Sequence, residues 1–108
     1  MQQIEDASFA EHINKAKNPV IITFFSEWCT TCAETMPIVE GLAEQLKGKA
    51  DFYQIDFDEN TQSAVNCGVL VVPTIVLFKG GQSAERIVGF QPEKKLRERI
   101  SPHIDNWD

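Results

Sequence analysis

Two cysteines separated by two residues, Cys29 and Cys32, are the side chains of this sequence best suited to covalent chemistry. They lie between an apolar run at 20–25, typical of a buried strand, and a run at 33–46 with helical periodicity. Two thiols at this spacing can form and break a disulfide with each other. A helix N-terminus carries partial positive charge and unpaired backbone N–H groups, which stabilise a thiolate and lower its pKa. The motif therefore predicts a redox site.

A metal site is the alternative chemistry for the same pair of cysteines. A structural zinc ion needs four ligands, and the remaining candidates, Cys67, His12 and His103, supply no second closely spaced pair. An iron–sulfur cluster shared between two chains is a more distant alternative. The spacing favours redox chemistry, and both histidines are then expected to be surface residues without a nearby partner.

Two other groups of residues have both a functional and a structural interpretation. Cys67, which is close in sequence to Pro73, is either a regulatory or dimer-forming thiol or a small, partly buried core residue; we favour the core. Three acidic residues are expected to form a solvated loop rather than a cation site: Asp56, Asp58 and Glu59.

The elements that must position the cysteines follow from the periodicity of apolar side chains. The predicted strands are a short segment that begins at Ile4 and the runs 20–26, 51–56, 74–78 and 84–88. The predicted helices are one capped by Asp6 or Ser8, the runs 33–46 (with Pro37 inside) and 59–66, and one that begins after Pro92. This alternation predicts an α/β fold: a mixed central sheet of four to five strands, flanked on both faces by about four helices.

Composition limits the classes of protein to which the chain can belong. With 108 residues it is predicted to form a single domain, and its 43% hydrophobic and 24% charged content is that of ordinary globular chains. The formal net charge of −6 argues against non-specific nucleic-acid binding, which depends on basic patches. No apolar run reaches membrane-spanning length, and residues 1–6 lack the features of a signal peptide. We therefore expect no nucleic-acid or membrane partner, and a cytoplasmic location.

Over essentially its full length the sequence resembles the thioredoxin family. The matching features are the run 24–32, Pro37, Asp56, the runs 72–74 and 78–81, and Gly89. Each feature is weak alone, since Cys-x-x-Cys also occurs in metal sites, but together and in this order they are specific. The resemblance implies a thioredoxin fold over residues 1–108, and protein thiol–disulfide oxidoreductase activity with no bound cofactor.

The resemblance also implies roles for individual residues. Cys29 would be the exposed nucleophile that attacks a substrate disulfide, and Cys32, more buried, the resolving thiol that releases the reduced substrate. A cis peptide bond is implied before Pro73. The implied substrate-binding surface consists of Trp28, Ile55, Val71, Val72, Pro73, Val88 and Gly89. The implied partners are protein disulfides and a thioredoxin reductase-like electron donor, and the chain itself is expected to be a monomer.

Departures from the family pattern fall in the environment of the cysteines. Thr30 and Thr31 stand where thioredoxins usually have Gly-Pro, a change that could move the reduction potential. Thr23 stands where many have a buried Asp, and Phe52 where they have the Lys that accompanies it. The site is thus expected to lack that buried ion pair. A thioredoxin-fold interaction module with weak redox turnover is therefore the alternative function.

Overall fold

The computed structural model describes residues 1–107, which form a five-stranded mixed sheet with helices packed on it. The strands are β1 (Gln2–Gln3), β2 (Val20–Phe25), β3 (Asp51–Asp56), β4 (Thr74–Lys79) and β5 (Gln82–Val88). The helices are α1 (Asp6–Asn14), α2 (Thr30–Gln45), α3 (Thr61–Cys67) and α4 (Glu93–Ile100), followed by a 3₁₀ turn at Ser101–His103. None of the helices within residues 1–107 combines the length and the apolar character needed to cross a bilayer. The predicted fold class and order of elements are confirmed.

The strand order in the sheet, β1-β3-β2-β4-β5, decides which chain segments meet. β3 lies parallel to both β1 and β2, β4 runs antiparallel to β2, and β5 runs antiparallel to β4. Gly80 and Gly81 connect β4 to β5 with φ of 59° and 82°, a region that glycine adopts without a Cβ penalty. The carboxyl ends of β2, β3 and β5 and the amino end of β4 therefore meet at one end of the sheet.

Helices cover both faces of the sheet and divide the apolar interior into two clusters. The cluster under α2 and α4 contains Ile21, Val39, Leu42, Leu46, Ala50, Phe52, Ile75, Leu77, Ile87, Leu96, Ile100 and Ile104. The cluster under α1 and α3 contains Ile4, Ile13, Val20, Ile22, Phe24, Ile55, Ala64, Val69, Val76 and Phe78. Successive residues of a strand point to opposite faces, so β2 supplies Ile21 to one cluster and Ile22 to the other. This explains why the whole run 20–25 is apolar apart from Thr23.

Reciprocal capping fixes where α1 and α3 begin. The side-chain Oδ1 of Asn60 accepts a hydrogen bond from the backbone N–H of Asp6 (2.7 Å). The Asp6 carboxylate in turn accepts bonds from the backbone N–H (2.9 Å) and the hydroxyl (2.5 Å) of Ser63. Each side chain thereby satisfies an N–H group that its partner helix leaves unpaired. The prediction that Asp6 or Ser8 caps α1 is wrong, since Glu5 is the N-cap residue and makes no side-chain capping bond.

Asp56 delays the start of α3, which begins at Thr61 rather than at residue 59 as predicted. Its Oδ1 accepts hydrogen bonds from the backbone N–H groups of Asp58 (2.9 Å) and Glu59 (3.4 Å), which holds these residues in a turn. Asp58 and Glu59 are exposed, as predicted, whereas Asp56 is buried. The prediction of a solvated acidic loop is therefore wrong for Asp56, because its carboxylate is used inside the turn.

Both histidines have partners, contrary to the prediction. The His12 ring lies 4.5 Å from the Tyr53 ring, measured between centroids. His103 Nε2 lies 3.8 Å from a carboxylate oxygen of Glu85, whose other oxygen is 2.6 Å from Arg99 Nη2. The hydrogen bond from Arg99 is the main cause that holds the pKa of Glu85 below its usual value. These contacts attach β5 to α4 and to the turn that follows it.

Candidate active site

Four loop segments meet at the end of the sheet where the carboxyl ends of β2 and β3 lie; we call this the site end. They are residues 26–29 after β2, 57–60 after β3, 68–73 before β4 and 89–92 after β5. Backbone hydrogen bonds hold them to the sheet and to one another, from Phe57 N–H to Phe25 O (2.7 Å) and from Gly89 N–H to Pro73 O (2.8 Å). The sheet topology thus brings both cysteines to one surface with three other loops.

Cys29 occupies the N-cap position of α2. Its Sγ accepts a hydrogen bond from the backbone N–H of Cys32 at 3.2 Å and lies 3.4 Å from the hydroxyl oxygen of Thr31. An N-cap side chain satisfies one of the unpaired N–H groups at the helix start, where the macrodipole favours negative charge. The helix therefore begins at Thr30, three residues earlier than predicted, because the cysteine itself serves as the cap.

Cys32 lies in the first turn of α2 and forms a disulfide with Cys29. The two Cα atoms are 5.2 Å apart. Cys32 is 2% exposed and Cys29 is 8% exposed. The predicted order of burial is found, but Cys29 is only slightly accessible in this disulfide form, rather than fully exposed.

The turn before β4 lies beside the cysteines. The Val72–Pro73 peptide bond is cis, as predicted, and the carbonyl oxygen of Val72 is 3.7 Å from Cys29 Sγ. Gly89 has φ 81°, a conformation that side chains with a Cβ rarely adopt. Because its N–H donates to Pro73 O, this glycine brings the end of β5 against the cis-proline turn.

Trp28 stands out from the surface immediately before the disulfide. Its side chain is 71% exposed, and its indole N–H donates a hydrogen bond to the carboxylate of Asp58 at 2.7 Å. This bond fixes the orientation of the ring and leaves a large apolar area open to solvent. Trp28 therefore lies in the loop surface around the cysteines and outside the two core clusters.

Exposed apolar side chains surround the disulfide at the site end. Among the residues predicted to bind substrate, Trp28, Val71 and Val88 are exposed, Val72 and Gly89 are partly buried, and Pro73 is buried. Ile55 is 0% exposed and belongs to the core under α1 and α3. The prediction that Ile55 contacts substrate is therefore not supported by its position, and the apolar side chain of the 57–60 segment is the partly buried Phe57.

Sequence reasoning missed two exposed apolar residues next to this surface, Leu70 and Phe90. Leu70 is 87% exposed, the highest value among the large apolar side chains. The available signal was the apolar run 69–72, which lies between a helix and a strand and ends at a proline. We define the apolar patch as Trp28, Leu70, Val71, Val88 and Phe90.

Two buried hydroxyl groups near the end of β2 are without a hydrogen-bond partner among residues 1–107: those of Thr23 and Ser26. In the sheet, Thr23 is paired with Gln54 of β3. Phe52, which the family resemblance matched to the Lys that accompanies the buried Asp, is paired with Ile21. Phe52 is therefore not the cross-strand neighbour of Thr23; that position belongs to Gln54, two residues further along β3.

Cys67 is a partly buried residue at the end of α3 and packs against the cluster under α1 and α3. Burial raises the pKa of its thiol, and the charge of Arg86 only partly opposes this effect. The Arg86 guanidinium is occupied by the carbonyl oxygens of Cys67 and Gly68, to which it donates hydrogen bonds. A thiol with a raised pKa is a poor nucleophile near neutral pH, which agrees with a structural role for Cys67.

The chain offers few ligands for a metal ion around the disulfide. Within residues 1–107, no three His, Cys, Asp or Glu side chains are grouped so that they could hold one. Cys29 and Cys32 are joined to each other, and Cys67 lies at the far end of α3 from the 57–60 segment. The arrangement of the described residues thus suits disulfide chemistry.

A disulfide between two cysteines at a helix start, with an open apolar surface beside it, defines the class of protein: a thiol–disulfide oxidoreductase. The family model described as Thioredoxin matches residues 1–102. The chain is 34% identical over 102 residues to a thioredoxin of Staphylococcus aureus, covering 94% of this chain and 96% of the relative. It is 32% identical over 102 residues to thioredoxin 1 of a Nostoc species, covering 94% of this chain and 95% of the relative. The chain belongs to the thioredoxin family and is a protein-disulfide oxidoreductase.

Proposed function

We propose that Cys29 is the attacking nucleophile and Cys32 the resolving thiol in the reduction of protein disulfides. The observation that carries this assignment is the hydrogen bond from the Cys32 backbone N–H to Cys29 Sγ (3.2 Å) at the N-cap of α2. In the reduced protein, this N–H group and the helix macrodipole stabilise a thiolate on Cys29. Cys32 is the more buried of the two sulfurs and is therefore the less accessible to a protein substrate.

The reaction consists of two thiol–disulfide exchanges. The Cys29 thiolate attacks one sulfur of the substrate disulfide, so that a mixed disulfide forms while the substrate S–S bond breaks and the departing thiolate takes up a proton. Cys32 then loses its proton and attacks Cys29 Sγ, which breaks the mixed disulfide and releases the second substrate thiol. Two electrons have passed from the protein to the substrate, whose two thiols take up one proton released by Cys32 and one from solvent. A Cys29–Cys32 disulfide remains.

The substrate-binding surface in this proposal surrounds the disulfide. Its members are Trp28, Val71, Val72, Pro73, Val88 and Gly89, to which the apolar patch adds Leu70 and Phe90. An extended substrate chain can pair with the backbone beside the cis-proline turn, in the manner of a short added strand. Exposed apolar area of this kind favours a protein partner.

The proposal includes a source of electrons, because every turnover consumes the dithiol. We assign this role to a reductase of the thioredoxin reductase type, and we propose that the chain works as a monomer so that its apolar patch stays free for substrates. A reducing compartment such as the cytoplasm keeps such a pair available as a dithiol. Thr30 and Thr31 complete the active-site environment, and the Thr31 hydroxyl lies within reach of Cys29 Sγ (3.4 Å).

Reaction with an aromatic disulfide such as Ellman's reagent tests the assignment of the two cysteines. The variants Cys29→Ser and Cys32→Ser are compared in a Cys67→Ala background, so that each protein holds a single thiol. At about pH 7 we expect the Cys32→Ser protein, which retains Cys29, to react at least about tenfold faster and to carry the adduct. Equal rates, or faster reaction of the protein that retains Cys32, would contradict the assignment. Neither variant should reduce insulin catalytically.

A further inference from the structure

We propose that this protein prefers disulfides carried by positively charged polypeptide segments. The inference rests on the proposed function and names the substrate class that the same site accepts. The observation behind it is the distribution of charge over the molecule, which differs sharply between the two ends of the sheet.

The site end carries acidic side chains. The segments 26–29, 57–60, 68–73 and 89–92 together contain Glu27, Asp58 and Glu59, all exposed, and no lysine or arginine. We call these three residues the acidic rim. Asp58 is tied to the apolar patch itself, because its carboxylate accepts the hydrogen bond from the indole N–H of Trp28. The acidic rim and the apolar patch thus form one continuous surface around the disulfide.

The opposite end of the sheet carries lysines. The connections that precede β2 and β3 contain Lys15, Lys17, Lys47 and Lys49, and Lys79 is the last residue of β4. These five lysines are half of the 10 basic residues. Six-residue strands separate these lysines from the acidic rim by about 20 Å. This separation exceeds the Debye length of about 8 Å at physiological ionic strength. The lysines therefore do little to neutralise the acidic rim.

The remaining basic side chains are engaged by other groups or lie in another cleft. Arg86 donates to the carbonyls of Cys67 and Gly68. In α4, the ammonium group of Lys95 lies 3.8 Å from the carboxylate of Glu98. The guanidinium of Arg99 lies 2.6 Å from the carboxylate of Glu85. The Arg97 guanidinium stacks 4.4 Å from the centre of the Trp107 ring. Lys94 lines a cleft with Arg97 and Trp107. Within the four loop segments of the site end, the charged side chains that a ligand at the apolar patch meets are therefore all acidic.

Charge complementarity favours a positively charged substrate segment at this site. A lysine or arginine near the substrate cysteine can place its charge beside the acidic rim, and its cation can also lie on the open face of the Trp28 ring. A substrate segment rich in Asp or Glu meets like charges at the same positions and gains only the apolar contacts. The selection acts on the rate of encounter and on docking, while the exchange chemistry at Cys29 is the same for both substrates.

A set of matched peptides tests the proposal. Each peptide contains the same intramolecular disulfide and differs only in the residues that flank its cysteines, which are lysine, glutamine or glutamate. The second-order rate constant for oxidation of the reduced protein is measured for each. We expect the lysine peptide to react about tenfold faster than the glutamate peptide at about 0.02 M salt, with this ratio approaching one near 0.5 M salt because of screening.

A pair of double variants with equal charge change provides the control. Glu27→Lys/Glu59→Lys alters the acidic rim, whereas Glu11→Lys/Glu44→Lys alters exposed residues elsewhere; Glu44 lies about 20 Å along α2 from Cys29. The first variant should reverse or abolish the preference for the lysine peptide, and the second should keep most of it. The ratio of the two peptide rates within one protein cancels any effect of the added charges on the reactivity of Cys29.

The outcomes separate this inference from the proposed function. If no peptide oxidises the protein faster than it oxidises the Cys29→Ser variant, the proposed function fails. If all three peptides react at the same rate, or if the glutamate peptide is preferred, the charge inference is overturned while the oxidoreductase assignment stands. An unchanged preference in Glu27→Lys/Glu59→Lys would also overturn it.

Discussion

Cys29 has two roles that depend on the same atom. Its sulfur accepts the hydrogen bond that caps α2, and the same sulfur is the proposed nucleophile. Most helices use Ser, Thr, Asp or Asn as the cap, so a cysteine in this position gives up some capping strength. What the position provides is a thiol held at the positive end of a helix with its direction fixed by backbone N–H groups.

The unpaired hydroxyl of Thr23 leads to a stability prediction at the residue scale. Thr23 and Thr74 are both buried in strands, but only Thr74 donates a hydrogen bond, to the carbonyl oxygen of Val71 at 2.7 Å. Replacement by valine keeps the shape and removes the hydroxyl. We expect Thr23→Val to raise the free energy of unfolding or leave it unchanged, and Thr74→Val to lower it by about 1–2 kcal/mol.

Urea denaturation of the two variants checks this expectation, with each protein serving as the control for the other. An equal loss of stability in both would show that the Thr23 hydroxyl is hydrogen-bonded in solution and would refute the argument.

The sequence was a good guide to some residues of the site and a poor guide to others. Cys29 and Cys32 were found because their spacing is itself the chemical signal, and Trp28 because it adjoins them. Ile55 was expected at the substrate surface, but its side chain faces the core under α1 and α3. Phe52 was expected to accompany Thr23, but the neighbour of Thr23 in the sheet is Gln54, which depends on strand register. Register is a property of two strands paired in space, which the alternation within one strand does not determine.

At the scale of elements, the order along the chain could be predicted and the helix starts could not. Apolar periodicity defines which residues of a helix or strand face the core, and that information is local. The starts of α1 and α3 depend instead on Asn60 and Asp6, which are 54 residues apart in sequence and cap each other's helices. Such contacts have no local sequence signature, so the predicted helix starts differ from the observed ones by a few residues.

The link between β5 and α4 leads to a prediction of pH dependence. Because Arg99 and His103 lower the pKa of Glu85 in the folded state, the ion pair contributes stability above the unfolded pKa of a glutamate. That contribution is lost as the pH falls through the pKa of Glu85 in the folded protein, which is lower than its pKa in the unfolded chain. Glu85→Gln should therefore cost some stability at about pH 7, well under 1 kcal/mol since Arg99 is largely in contact with solvent, and almost none at about pH 3.

The measurement is the difference in unfolding free energy between the wild type and Glu85→Gln at the two pH values. Glu11→Gln, at an exposed position of α1, is the control and should show a small difference at both. A difference for Glu85→Gln that grows on acidification would have the wrong sign for this ion pair.

At the scale of the whole molecule, stability and recognition are located in different places. The two core clusters hold the sheet between its helices, whereas the apolar patch and the acidic rim lie outside both clusters at the site end. The two tryptophans belong to different parts of this division. Trp107 packs on the cluster under α2 and α4 and under the Arg97 guanidinium, while Trp28 is exposed.

Truncation of the two tryptophans should therefore affect different properties, stability for Trp107 and activity for Trp28. Trp107→Ala is expected to lower the free energy of unfolding by about 1–3 kcal/mol through lost burial, with little change in the rate of insulin reduction. Trp28→Ala is expected to change stability by less than about 0.5 kcal/mol, as for other exposed positions, and to slow insulin reduction severalfold. Thermal unfolding and the insulin assay on both proteins check the pair. Similar losses of stability and activity in both variants would argue against the division.

The reciprocal caps at Asp6 and Asn60 have a practical consequence for anyone who attaches a tag to this protein. Asn60 lies two residues after Asp58, the residue that orients Trp28, and its side chain also donates to the carbonyl of Asp56 at 3.0 Å. The beginning of the chain is thereby fastened to the loop that shapes the recognition surface. A fusion partner that pulls Asp6 out of place would alter substrate selection without touching a cysteine, so tagged and untagged protein should be compared before any specificity is assigned.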